Sequence, residues 1–200
     1  MMNDIELLVS LDACTDGVEY VRTACGGSLK VAWRVCKQPT QMCWLLRNLI
    51  ADKRKQNLLG CRLIRETPLG NGRKVWDLLT DERSRNFVEI VKRFEKAEAT
   101  GYELYAAKEG ADQATLPLAY CSGPRVRFGF GYNPDLSSWL ASDAVRTIMF
   151  SAERVSYYVI CAVAHASDKE SVLVAQTTQC NIIREMFSWK EVQELIEKLY

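Results

Sequence analysis

Apolar residues at helical spacing recur from one end of this chain to the other and leave little room for any other kind of element. Phe87, Ile90, Val91 and Phe94 stand at i, i+3, i+4 and i+7, and Val192, Leu195, Ile196 and Leu199 repeat that spacing. Side chains so placed gather on one face of an α-helix, where they can be buried together. Start signals accompany the stripes. Thr100 with Glu103, Ser167 with Glu170 and Ser188 with Glu191 each set a hydroxyl three residues before a glutamate. In that pattern the hydroxyl accepts from a free N–H of the first turn, and the glutamate accepts from the N–H of the cap. Asn133-Pro134 reads as a cap followed by proline at the first helical position.

The pattern predicts helices over 4–13, 16–24, 29–36, 40–52, 57–66, 73–79, 82–98, 101–112, 135–149, 152–165, 168–187 and 189–199. The connections Thr15-Asp16, Gly26-Gly27-Ser28 and Lys37-Gln38-Pro39 are short, which favours antiparallel neighbours. Residues 67–72, with Pro68 and the pair Asn71-Gly72, must turn. Residues 113–133 lack helical periodicity, and within them Val126, Phe128, Phe130 and Tyr132 alternate with Arg127, Gly129 and Gly131. Alternation points to a strand while the glycines weaken it, so a short hairpin and an irregular loop both fit. The expected fold is an all-α bundle, one helical domain over 1–200, with that insertion and a possible sub-boundary at 113–133.

At 200 residues, with 48% of them hydrophobic, the chain can bury a core unaided. Met1-Met2-Asn3-Asp4 lacks a basic start, and Leu7-Leu8-Val9 is too short for the apolar part of an export signal. No stretch reaches the roughly 20 apolar residues that span a bilayer. The longest apolar run, Val159 to Ala164, reads as a buried helix. The expectation is a cytoplasmic protein without a membrane partner. Eight cysteines in such a chain read as small buried hydrophobes rather than as a disulfide framework. With no C-x-x-C pair and one histidine, neither a metal site nor a cofactor is expected.

Tyr20, Trp33 and Trp44 fall on three consecutive expected helices. They suit a helical core, with a ligand-stacking site as the other reading. Net charge is +1, so any electrostatic role must be local. Between 47 and 74, Arg47, Lys53, Arg54, Lys55, Arg62, Arg65, Arg73 and Lys74 face only Asp52 and Glu66. They form either an anion-binding surface or solvated helix faces and a basic turn. Gly123 to Tyr132 sets Arg125, Arg127, Phe128, Phe130 and Tyr132 among glycines. Such a loop either recognises a partner or packs its aromatics inward. His165 falls in the last turn of a helix, where a partly positive ring is favoured by the helix dipole. Asp81 and Glu82 suit the positive end of the helix they open. No cysteine is singled out as a nucleophile.

Several of these residues also carry a resemblance. Ala13-Cys14, Gly17-x-x-Tyr20-Val21, Ser28-Leu29-x-x-Ala32-Trp33-x-x-Cys36 and Trp44-Leu45-Leu46 follow one another in an order that resembles a helical module of uncharacterised phage and prophage proteins. Asp81-Glu82-Arg83-Ser84-Arg85, Glu95 to Thr100 with Glu103-Leu104, and Gln179 to Phe187 with Trp189 resemble its later helices. Together they span about half the chain. Residues 113–133 depart from the long alanine-rich helix that such proteins carry there. Some members are labelled immunity proteins of toxin systems. The resemblance implies phage or mobile-element origin, and the lack of a catalytic constellation in the sequence points to a non-enzymatic binding or inhibitory protein that occupies a host or rival protein, as anti-defence and immunity proteins do. The expected contacts are Arg54, Lys55, Arg62, Arg65, Arg73, Lys74 and the residues named between 125 and 132. A nucleic-acid or nucleotide binder using the same cations is the second expectation, and a cysteine-dependent enzyme the third.

Overall fold

This computed structural model describes residues 3–122 and 134–199. It is all-α: eleven α-helices and one two-stranded antiparallel hairpin among the described residues. Four helices come first: α1 (Asp4–Ser10), α2 (Thr15–Ala24), α3 (Leu29–Val35) and α4 (Pro39–Asn48). Next come α5 (Lys53–Glu66), strands β1 (Pro68–Gly70) and β2 (Arg73–Lys74), a 3-10 turn (Val75–Leu78) and α6 (Glu82–Glu95). The chain continues through α7 (Gly101–Ser122), α8 (Pro134–Arg146), α9 (Ala152–Ala166), α10 (Lys169–Met186) and α11 (Trp189–Glu197).

Helix α9 occupies the centre and packs against α4, α5, α8 and α10. It holds the long apolar run, with Val155, Val159, Ala162 and Val163 fully buried. One apolar cluster runs from Leu7 on α1 to Val192 on α11. Phe87 and Val91 are buried as their stripe requires, and Phe94 is half-buried. Polar cross-ties fix the helices relative to one another. The Gln179 side chain on α10 accepts from Ser156 Oγ on α9 at 2.7 Å and donates to Thr67 Oγ1 at 3.3 Å, with all three residues fully buried. Arg184 Nε on α10 donates to the Trp33 carbonyl at 2.9 Å, and its Nη2 to that of Cys36 at 2.5 Å, closing the end of α3.

Two capping boxes form as the sequence predicts, at Thr100–Glu103 and Ser188–Glu191. The third differs. Ser167 closes α9, and Asp168 caps α10 by accepting from Ser171 N at 2.8 Å. The Ser167 hydroxyl is already engaged, donating to Val163 O at 2.7 Å at the end of α9, and aspartate is as good a cap as serine. Proline 134 does open α8, while Asn133 lies outside the described residues.

The expected insertion at 113–133 is corrected over its first half, because α7 continues as helix to Ser122 and runs through Pro117. Its buried stripe is Ala107, Ala111 and Ala114, small side chains that let α7 pack on α6 and α8 and leave almost no hydrophobic periodicity. The hairpin lies instead at 68–74, with Asn71 at φ 50° and Gly72 at φ 75°. Two left-handed residues make the turn that matches strand twist. The helix expected at 73–79 is therefore β2 and the 3-10 turn. Helix α5 starts at Lys53, before the predicted 57, because Asp52 accepts from Arg54 N at 2.8 Å and from Lys55 N at 3.2 Å.

Candidate functional site

The basic stretch does not form one cationic face. Helix α5 lies among α6, α9, α10 and α11, and its cations reach different neighbours. Arg54 pairs with the nearly buried Glu95 of α6, its Nε 3.5 Å from Oε2, and donates to that residue's carbonyl. Lys55 pairs with Glu191 of α11 and lies 4.7 Å over the Phe187 ring. Arg62 bridges Glu66 at 2.7 Å and Glu185 of α10 at 2.8 Å. Arg65 pairs with Glu89 of α6 and stacks 4.7 Å from the Trp76 ring. Outside α5, Arg47 meets Glu153 at 2.8 Å. The Arg62 guanidinium holds the Glu66 carboxyl below its ordinary range, and Lys55 does the same for Glu191. Except for Glu66, these carboxylates lie outside the stretch, as far as 136 residues away in sequence, so local charge counting missed them.

Arg73 and Lys74 differ. They stand side by side on exposed strand β2, and neither forms an ion pair among the described residues. Arg125, Arg127, Phe128, Phe130 and Tyr132 lie outside the described residues, so their relation to this strand stays an expectation.

A feature the sequence reading passed over sits where α4 turns into α5. Ile50 N donates to Arg47 O at 3.2 Å, and Ala51 N donates to Leu46 O at 3.0 Å. That is the Schellman ending of a helix, whose left-handed residue is usually glycine. Here it is isoleucine, held at φ 54° and 79% exposed. A β-branched residue in this region is strained, and strain of this kind gathers at sites of recognition. Beside it, Lys53 Nζ donates to the carbonyl of Phe150 at 2.9 Å, tying this turn to the one between α8 and α9. Phe150 is itself 61% exposed. The signal was present as Leu-Ile-Ala-Asp, an apolar helix end without glycine.

The thiols stand apart from this surface. Burial raises the Cys43, Cys61 and Cys180 thiols, the last two to about 12, and also raises those of Cys36 and Cys161. None is disulfide-bonded among the described residues. Cys161 and the buried His165 line one cavity of about 320 Å³ beside Tyr157 and Gln176. The raised Cys161 thiol is the opposite of an activated nucleophile. Among the described residues no group of three or more His, Cys, Asp or Glu could hold a metal ion. There, too, no helix is long and apolar enough to cross a membrane.

A second cavity, of about 310 Å³, opens between α1, α2, α3 and α4. Trp33 is buried, Tyr20 and Trp44 are half-buried against the core, and all three line this space. The aromatics therefore pack as core residues and also present surface to a void. Compared with family profiles, curated proteins and solved structures, the chain finds no match.

Proposed function

We propose that this chain is a non-enzymatic binding protein that acts by occupying a partner protein. The observation that carries the reading is the paired exposure of Ile50 and Phe150 on two tied turns, with Ile50 held in a strained backbone conformation. Apolar side chains presented in this way, with a polar rim, suit a protein surface. Two cations lie close in sequence to Ile50: Arg47, whose carbonyl accepts from Ile50 N, and Arg54. Both remain about half exposed or more despite their pairing. The partner surface that fits is an apolar depression edged by carboxylates. Phage or mobile-element origin and anti-defence action rest on the resemblance of the Ala32-Trp33-x-x-Cys36 and Trp44-Leu45-Leu46 module, and a cytoplasmic place of action on the sequence's lack of an export-signal pattern. Non-enzymatic action is supported by the buried, raised thiols.

The test uses the full chain as bait in host lysate, with and without nuclease, beside a bait carrying Ile50→Gly and Phe150→Ser. The expected result is one protein retained through nuclease by the first bait and lost by the second. Equal retention by both baits removes the two turns from the reading.

Arg73 and Lys74, adjacent and unpaired among the described residues, support a second reading as a nucleic-acid or nucleotide binder. Its mark is nucleic acid in the eluate and an affinity that falls steeply with salt. Two phosphate contacts alone give a log–log slope of roughly −2, so a steeper slope would require further cations.

A further inference from the structure

The cavity between α1 and α4 has a composition of its own. Its volume, about 310 Å³, falls at the small end of ligand pockets, which run from roughly 300 to 1,000 Å³. Tyr20, Trp33 and Trp44 reach it from three different helices, over an apolar floor that includes Leu8, Val21 and Met42. Two carboxylates line it, Asp12 and Glu153, and no lysine, arginine or histidine does. Glu153 is engaged by Arg47 at 2.8 Å. Asp12 is exposed at the rim and forms no ion pair among the described residues. Its backbone is set by the end of α1, at φ 58°, with Asp12 N donating to Val9 O at 3.1 Å and Ala13 N to Leu8 O at 3.0 Å. The sequence module also converges here, since its residues from Ala13 to Leu45 line the cavity, Ser28 excepted.

Aromatic faces carry negative potential and attract cations, and a carboxylate at the rim adds to the same preference. An anion would meet Asp12, while Arg47, which pairs with Glu153, and Arg184, which donates to the Trp33 and Cys36 carbonyls, are already engaged. A neutral molecule would use the apolar floor and leave Asp12 unused. We propose that this cavity binds a small organic monocation, a ring-sized apolar body on Trp33 and Trp44 with its ammonium end toward Asp12. The cavity and the Ile50–Phe150 surface meet at the Arg47–Glu153 pair, and neither requires the other's partner.

Tryptophan fluorescence titration tests it with three probes that share a phenyl ring and differ in the charge of the group it carries: benzyltrimethylammonium, benzyl alcohol and benzoate. The blocking variant is Gly17→Leu. A Cβ at Gly17 meets only Cys14 Sγ, at 3.4 Å, and leucine is the better helix former, so the variant folds while filling the space. The expected result is a saturable response to the cation, about tenfold tighter than to the alcohol and absent for benzoate. Asp12→Asn should reduce the cation's affinity to about that of the alcohol, whose own affinity stays unchanged. Gly17→Leu should abolish both responses with no fall in Tm. No saturable response to the cation, equal affinity for the three probes, or a response that survives Gly17→Leu overturns the proposal.

Discussion

Ile50 occupies the position at which a helix end ordinarily carries glycine, and its side chain gains almost nothing from burial. A left-handed conformation costs an L-residue roughly 1–2 kcal/mol, and glycine's extra backbone freedom when unfolded gives back about 0.5–1 of that. Ile50→Gly is therefore expected to stabilise the fold by about 0.5–1 kcal/mol. Urea unfolding should show a higher midpoint with an unchanged slope. If the same substitution weakens partner retention, the exposed side chain serves binding at a cost in stability; a fall in stability instead would mean that the side chain packs usefully in the folded state. Gln179 is the opposite kind of residue, fully buried and useful only through its hydrogen bonds. Gln179→Leu leaves the Ser156 hydroxyl without its acceptor and should cost about 1–3 kcal/mol. Adding Ser156→Ala should recover part of that loss in the same melt, and no recovery would locate the cost in packing.

At the scale of elements, α5 is the strut of the molecule. Its cations tie it to α6, α10 and α11, and Gly60 lets it sit close to α9 and to the turn that precedes it. A Cβ at Gly60 would stand 3.4 Å from Val155 Cγ2 and 3.5 Å from Ile148 Cγ2. Gly60→Leu would overpack this junction and should destabilise the fold by about 1–3 kcal/mol, despite its better helix propensity. An unchanged thermal midpoint would show that α9 can move aside. The ion pairs are worth less, because both partners remain partly exposed. Arg62→Ala should cost at most about 1 kcal/mol, and less in high salt.

For the whole molecule, stability should narrow at both ends of the pH range. Glu66, Asp81 and Glu191 have depressed pKa values through Arg62, Arg83 and Lys55 respectively. Their stabilisation is complete above the ordinary carboxylate range and is lost as pH falls through the depressed values. Buried thiols act in the other direction. Cys61 and Cys180 are raised from 9.0 to about 12, so unfolded chains lose thiol protons above pH 9 while folded ones keep them. Each such thiol should remove about 1.4 kcal/mol per pH unit in that window. Denaturant melts between pH 8 and 11 measure it, and substituting serine for Cys61 should reduce the slope. A thiol reagent at pH 8 should label exposed Cys14 and leave Cys43, Cys61 and Cys180 untouched until the protein unfolds.

Most of the helices could be read from sequence because their causes are local. The stripes of Phe87 to Val91 and of Val192, the caps at Thr100 and Ser188, and the Asn71-Gly72 turn all act within a few residues. The length of α7 could not, because its stripe of Ala107, Ala111 and Ala114 gains its meaning only from the closeness of α6 and α8. The candidate sites divide in the same way. Sequence alone marked the cations of 47–74 and the aromatics Tyr20, Trp33 and Trp44 as unusual. Only the tertiary structure brought Glu89, Glu95, Glu185 and Glu191 to those cations and left Arg73 and Lys74 unpaired among the described residues. It also gathered the aromatics around one cavity and tied the turn of Ile50 to that of Phe150 through Lys53. Local chemistry decides which turns of a chain become helix, whereas charge pairing, cavities and exposed apolar pairs depend on which distant residues meet, and that is settled by packing.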